Sequence, residues 1–144
     1  YTVTLTVNDG HGGSNSKSST VVIGTGGDPD PATPTITSGA NNSVTLSGAG
    51  NEKFYKIAVP SGTGQLQVVM TGPACGALGL NCSVDGDLYT NPAARPTDTV
   101  YACRPFVNGN NETCTHASPQ SGYWYIRVKS AKGAGTVNIR ATVS

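Results

Sequence analysis

The sequence predicts an all-β protein, an antiparallel β-sandwich or jelly roll preceded by a β-hairpin, and three observations lead there. Of its 144 residues, 19 are Gly and 9 are Pro, the two residue types least tolerated inside helices. No stretch places apolar residues at i, i+3, i+4 and i+7 over a dozen positions, as an amphipathic helix requires. Short apolar/polar alternations recur instead, separated by Gly, Asn, Ser and Pro, the pattern of half-buried strands joined by turns. Charged residues make up 12% of the chain, about half the ~25% usual for soluble domains. Ser, Thr, Asn and Gly carry the polarity.

Residues 1–23 read as a hairpin. Tyr1, Val3, Leu5 and Val7 alternate with Thr2, Thr4 and Thr6, the period of two of a half-buried strand. Asn8-Asp9-Gly10, extended by Gly12 and Gly13, supplies the turn, and Thr20-Val21-Val22-Ile23 the return strand. Two isolated strands are marginal in water, so this hairpin is expected to end a sandwich whose earlier strands lie upstream. The chain shows no signal peptide and opens inside a strand-like pattern, as an internal piece of a longer precursor does. The run from Tyr1 to Gly10, YTVTLTVNDG, resembles the last hairpin of a PKD domain, the immunoglobulin-like module of bacterial exoenzymes.

Residues 24–42, with Asp28-Pro29-Asp30-Pro31 and Pro34, read as an extended spacer and a natural cleavage site. Residues 43–144 read as a complete domain. Strands are predicted at 43–47, 53–59, 65–71, 87–91, 99–103, 112–115, 122–129 and 136–142. The inward faces are Tyr55/Ile57/Val59, Leu66/Val68/Met70, Trp124/Ile126/Val128 and Val137/Ile139/Ala141.

The four cysteines form two close pairs, Cys75/Cys82 and Cys103/Cys114. An even count at short spacing reads as two disulfides, formed in an oxidising compartment. A four-thiolate zinc site is the rival, but zinc knuckles favour two to four intervening residues, fewer than either pair has. The net charge of +1 and the scattered Lys and Arg speak against nucleic-acid binding. No apolar run approaches the ~20 residues of a membrane span.

Residues 43–144 resemble the bacterial pre-peptidase C-terminal domain. The matching stretches are EKFYKIAVP (Glu52 to Pro60), DGDLY (Asp85 to Tyr89), YACRPF (Tyr101 to Phe106), NGNNETC (Asn108 to Cys114) and GYWYIRV (Gly122 to Val128). The segment between Cys75 and Cys82 departs from many members, which have a short turn there. The resemblance implies a secreted, non-catalytic accessory domain at the C-terminal end of a bacterial peptidase. Such a domain aids secretion or folding, adheres to substrate, and is often removed on maturation.

The residues agree with a non-enzymatic reading. His11 and His116 are the two histidines. No Gly-x-Ser-x-Gly elbow or His-Glu-x-x-His motif accompanies them.

Two binding sites are candidates. Asp85 and Asp87, two apart on a strand and so on one face, could bind Ca²⁺, a hard cation that takes six to eight oxygens. Asn51, Glu52, Asp28 and Asp30 are possible co-ligands, and no cofactor is otherwise required. Tyr123, Tyr125 and Arg127 would point outward if Trp124, Ile126 and Val128 point inward. They then form either an aromatic binding strip or a strand packed beneath a neighbouring loop. In the Cys103/Cys114 loop, Glu112 is expected to pair with Arg104, and Phe106 to cap the sandwich end.

The expected partners are insoluble, collagen-like protein or polysaccharide, and the precursor's own catalytic domain, with the module itself monomeric. The alternatives are a structural spacer or adhesion module, or a carbohydrate-binding accessory domain of a secreted glycosidase.

Overall fold

A computed structural model describes residues 2–20, 28–76 and 81–144. These fall into two compact units, Tyr1–Pro31 and Ala32–Ser144.

In the first unit β1 (Thr2–Asn8) pairs antiparallel with β2 (Ser14–Thr20), Thr2 opposite Thr20 and Asn8 opposite Ser14. The return strand thus begins earlier than the expected 20–23, and residues 21–23 lie outside the described residues. The Asp9 carboxylate closes the connection by accepting the His11 and Gly13 amides, both at 2.8 Å. These bonds hold its carboxyl below the usual range. One face of the hairpin carries hydroxyl pairs, Thr4 with Ser18 and Thr6 with Ser16, each at 2.8 Å. Leu5 and Val7 are exposed.

The second unit is the predicted sandwich. Its strands are β3 (Asn41–Leu46), β4 (Glu52–Val59), β5 (Gln65–Thr71), β6 (Val84–Pro92), β7 (Glu112–Ala117), β8 (Gly122–Gly133) and β9 (Gly135–Val143). One sheet has the order β3-β9-β5-β7, the other β4-β8-β6, and all pairings are antiparallel. Alternate residues face the space between the sheets. Val44, Leu46, Leu66, Val68, Met70, Cys114, Val137, Ile139 and Ala141 come from the first sheet, and Ile57, Val59, Val84, Leu88, Trp124, Ile126 and Val128 from the second. The expected inward faces therefore make the core, with Tyr55 at its margin.

Two features depart from the sequence reading. Residues 32–42 pack onto the sandwich instead of acting as a spacer. Thr33 and Ile36 are buried, and the Ile36 amide donates to the Lys56 carbonyl while the Lys56 amide donates to Pro34. This segment covers the outer edge of β4, whose backbone groups would otherwise stay unpaired. The expected strand at 99–103 is a loop, because the Thr97 hydroxyl accepts the amides of Thr99 and Val100 and turns the chain there. Only Cys103 keeps a bridge, to Thr90.

The expected disulfides are both present, Cys75–Cys82 and Cys103–Cys114, with Cα–Cα distances of 4.5 and 5.9 Å. The second joins the loop against β6 to β7 in the opposite sheet. Replacing Cys103 and Cys114 together with Ala should lower the unfolding free energy by ~2–3 kcal/mol, the chain-entropy value for a loop this short. Urea unfolding followed by Trp124 fluorescence checks the loss.

Candidate functional site

The outward residues of the three-stranded sheet line up in rows across its strands. Glu52, Lys129 and Asp87 form one row, Phe54, Arg127 and Tyr89 the next, and Lys56, Tyr125 and Asn91 the third. Tyr123, Tyr125 and Arg127 do share this face, as alternation requires. They are not an exposed strip, however. Tyr125 is 1% exposed and Arg127 4%, and the Lys56 ammonium lies 5.0 Å from the centre of the half-buried Tyr123 ring. The loop of residues 93–104 runs over the face; Tyr89 and Arg127 are buried there, while Glu52 stays exposed at the edge.

The cover is held by alternating cations and rings. Arg95 lies over Phe54, Arg127 over Phe54 and Tyr89, and Arg104 over Tyr89 and Phe106, with cation-to-centroid distances from 3.5 to 6.0 Å. Tyr101 meets Tyr89 edge-on at 5.8 Å. Carboxylates compensate the cations, as burial of a charge demands. Arg127 donates to Glu52 at 2.8 Å and to Asp98 at 2.9 Å. Lys129 also reaches Asp98; this bond, ahead of the Arg127 charge, holds the Asp98 carboxyl below its usual range. Arg104 pairs with Asp87 at 2.9 Å, not with Glu112 as expected from the sequence.

Glu112 has a different task. It is 2% exposed; Oε2 accepts the Leu88 amide at 2.6 Å and Oε1 the Val107 amide at 3.0 Å. Burial pushes its carboxyl up, against these two donors. Asn110 does likewise, accepting the Gly86 amide and donating to the Val84 and Pro73 carbonyls. Together with the Cys103 carbonyl, which accepts from Thr90, these groups satisfy the free edge of β6. Neither role was legible in the sequence beyond the Asn/Glu-rich run 108–112.

The residues expected as calcium ligands have partners within the protein. Asp85 accepts the Gly109 amide at 2.9 Å, Asp87 binds Arg104, and Glu52 binds Arg127. Asn51 accepts the Ser47 amide, and Asp28 accepts that of Asp30. Asp28 and Asp30 belong to the first compact unit and the other four to the second. Among the described residues, the ligand-type atoms that converge are those of Cys103, Cys114 and His116, and the two sulfurs are bonded to each other.

His116 Nε2 lies 2.8 Å from the Thr90 hydroxyl and its ring packs on Trp124. Thr90 is fully buried, so no substrate reaches that hydroxyl. Phe106 is not a cap over the core. It is 68% exposed, with φ at 62°, an uncommon conformation for a bulky side chain.

Two outcomes follow. Glu112→Ala orphans the Leu88 and Val107 amides and should cost about 1–3 kcal/mol for each, read by urea unfolding. Burial holds the His116 imidazole below its usual range, so the unfolded chain binds its proton more readily. That contribution is complete above the unfolded pKa of ~6.5 and declines as pH falls from there toward the lowered folded value. A Tm series from pH 7.5 to 5 should show the decline, and His116→Gln should flatten it.

Residues 51–130 match the family described as bacterial pre-peptidase C-terminal domain. The chain is 36% identical over 108 residues to an extracellular protease of Xanthomonas campestris, covering 75% of this chain and 17% of that protein. It is also 36% identical over 119 residues to alkaline serine exoprotease A of Vibrio alginolyticus, covering 80% of this chain and 20% of that one. It thus spans about a fifth of the length of these curated relatives. The pre-peptidase C-terminal domain of Bacillus anthracis collagenase superposes with a TM-score of 0.58 at 15% identity, covering 76% of this chain and 94% of that one, a likeness of fold. No helix among the described residues is long and apolar enough to cross a membrane. With extracellular proteases as relatives, the chain is a secreted, extracellular module, and it belongs to the bacterial pre-peptidase C-terminal domain family.

Proposed function

We propose that the chain is a non-catalytic accessory domain of a secreted bacterial peptidase, which holds the enzyme to insoluble protein substrate and assists its folding or secretion. One observation carries this reading. Among the described residues the one His–hydroxyl pair has its hydroxyl, that of Thr90, fully buried beneath the half-buried His116 ring, while a loop on the same sandwich keeps Val100, Tyr101, Phe106 and Val107 exposed. Catalysis needs a reachable nucleophile and base; adhesion needs exposed apolar contacts. The names of the relatives, an extracellular protease and a serine exoprotease, support a protein substrate. The exposed Leu5 and Val7 support reading residues 1–23 as the last hairpin of a PKD-type sandwich, with its apolar face turned to strands elsewhere in the precursor.

The test is retention of the 144-residue chain on insoluble collagen, casein, chitin and cellulose, with a peptidase assay on the same preparation. Retention on the proteins without hydrolysis is the expected result. Retention on the polysaccharides alone would transfer the module to glycosidases. Retention on none of the four would leave a structural spacer.

A further inference from the structure

Four of the six exposed large apolar side chains among the described residues lie in the loop between Val100 and Val107: Val100 at 60%, Tyr101 at 40%, Phe106 at 68% and Val107 at 53%. The other two, Leu5 and Val7, belong to the hairpin. We propose that this loop is a docking platform for one extended, uncharged segment of a polypeptide substrate. The inference rests on the adhesion reading above and assigns it a surface.

The loop is built rigid. Cys103 is tied to Cys114, Arg104 is clamped between the Tyr89 and Phe106 rings and paired with Asp87, and the Val107 amide is held by Glu112. Side chains already ordered lose little entropy on binding, which is how a small contact becomes useful. Phe106 keeps its left-handed backbone while its side chain stays exposed. Conformational strain of this kind costs on the order of 1–3 kcal/mol and concentrates at binding sites.

Charge and area narrow the occupant. Arg104 is neutralised by Asp87, and Asp98 by Arg127 and Lys129, so the platform offers neither a polyanion nor a polycation a compensating charge. The four side chains expose on the order of 400 Å², the size of the largest patch on an ordinary monomer. A standard interface between two folded proteins buries about 800 Å² from each partner, so a second copy of the chain would be held poorly. Four or five residues of a single extended strand fit that area.

A sugar stacks on a free aromatic face. Here Arg104 occupies one face of Phe106 at 3.5 Å, so a single ring face remains there for stacking, and retention on chitin reads whether a sugar uses it. The flanking Val100 and Val107 suit aliphatic and prolyl side chains. Asn108 and Asn111, exposed beside them, can serve backbone amides and carbonyls.

The test compares the 144-residue chain with Phe106→Ser/Val107→Ser, with Val100→Ser, and with Leu5→Ser/Val7→Ser as a control for general stickiness, on gelatin, casein and chitin beads. All substituted side chains are exposed, so Val100→Ser and the hairpin variant should keep the wild-type Tm. Phe106→Ser/Val107→Ser should stay folded, with a Tm lowered by no more than loss of the Arg104–Phe106 contact accounts for. Both loop variants should lose retention on gelatin and casein, the double variant about tenfold, in the range for truncating anchor residues. The hairpin control should be retained like wild type, and none should prefer chitin. Wild-type retention unchanged in both loop variants would overturn the platform while leaving the adhesion reading standing. Equal loss in the hairpin control would reduce the effect to stickiness, and preferential retention on chitin would replace the polypeptide by a polysaccharide; either result overturns the proposal. If the wild-type chain binds no bead, the adhesion reading falls and the platform with it.

Discussion

The free edge of β6 is the constraint from which much of the second unit follows. An edge strand turns every other amide outward, and an unsatisfied row invites pairing with foreign strands. In this sandwich the amides of Gly86, Leu88 and Thr90 find the Asn110 side chain, the Glu112 carboxylate and the Cys103 carbonyl. Two of these acceptors are side chains spaced two residues apart, matching the two-residue repeat of the strand they cap. Glu112 opens β7, which belongs to the other sheet, so closing the edge also locks the sheets together along that side. Its second oxygen takes the Val107 amide, which fixes the path of the loop.

With that loop placed, a buried cation becomes possible. Arg127 sits in the middle strand of its sheet, 4% exposed. Withdrawing a guanidinium from water is expensive unless partners replace the solvent. Glu52 comes from the neighbouring strand, but Asp98 must be delivered by the covering loop. The aromatic faces of Phe54 and Tyr89 complete the surroundings. In a chain with 12% charged residues, this concentration of charge marks where the loop is held down. The apolar residues left over, from Val100 to Val107, lie along the rim instead of under it.

The parts of this arrangement that could be read in advance share one property: they repeat locally. The strands at 53–59, 65–71 and 122–129 declared themselves through alternation, and the observed elements extend those ranges or coincide with them. β2 did not, because Ser14-Asn-Ser-Lys-Ser-Ser-Thr20 has no apolar residue to alternate. Thr99, Val100 and Tyr101 misled in the opposite sense. Their types favour strands, yet a single hydroxyl, that of Thr97, turns the backbone there.

The same division runs through the candidate site. The sequence by itself determined the β class, the faces that residues of each strand share, the two close cysteine pairs and the family resemblance, because these depend on spacing within short windows. Only the tertiary structure decided that Tyr125 and Arg127 are covered, that Arg104 meets Asp87 instead of Glu112, and that Phe106 stands clear of the core. The partners involved are 17 to 29 residues apart in the chain and meet across a loop with no periodicity of its own. Their encounter depends on the unpaired amides and the buried charge that the loop must satisfy once the sheets have come together.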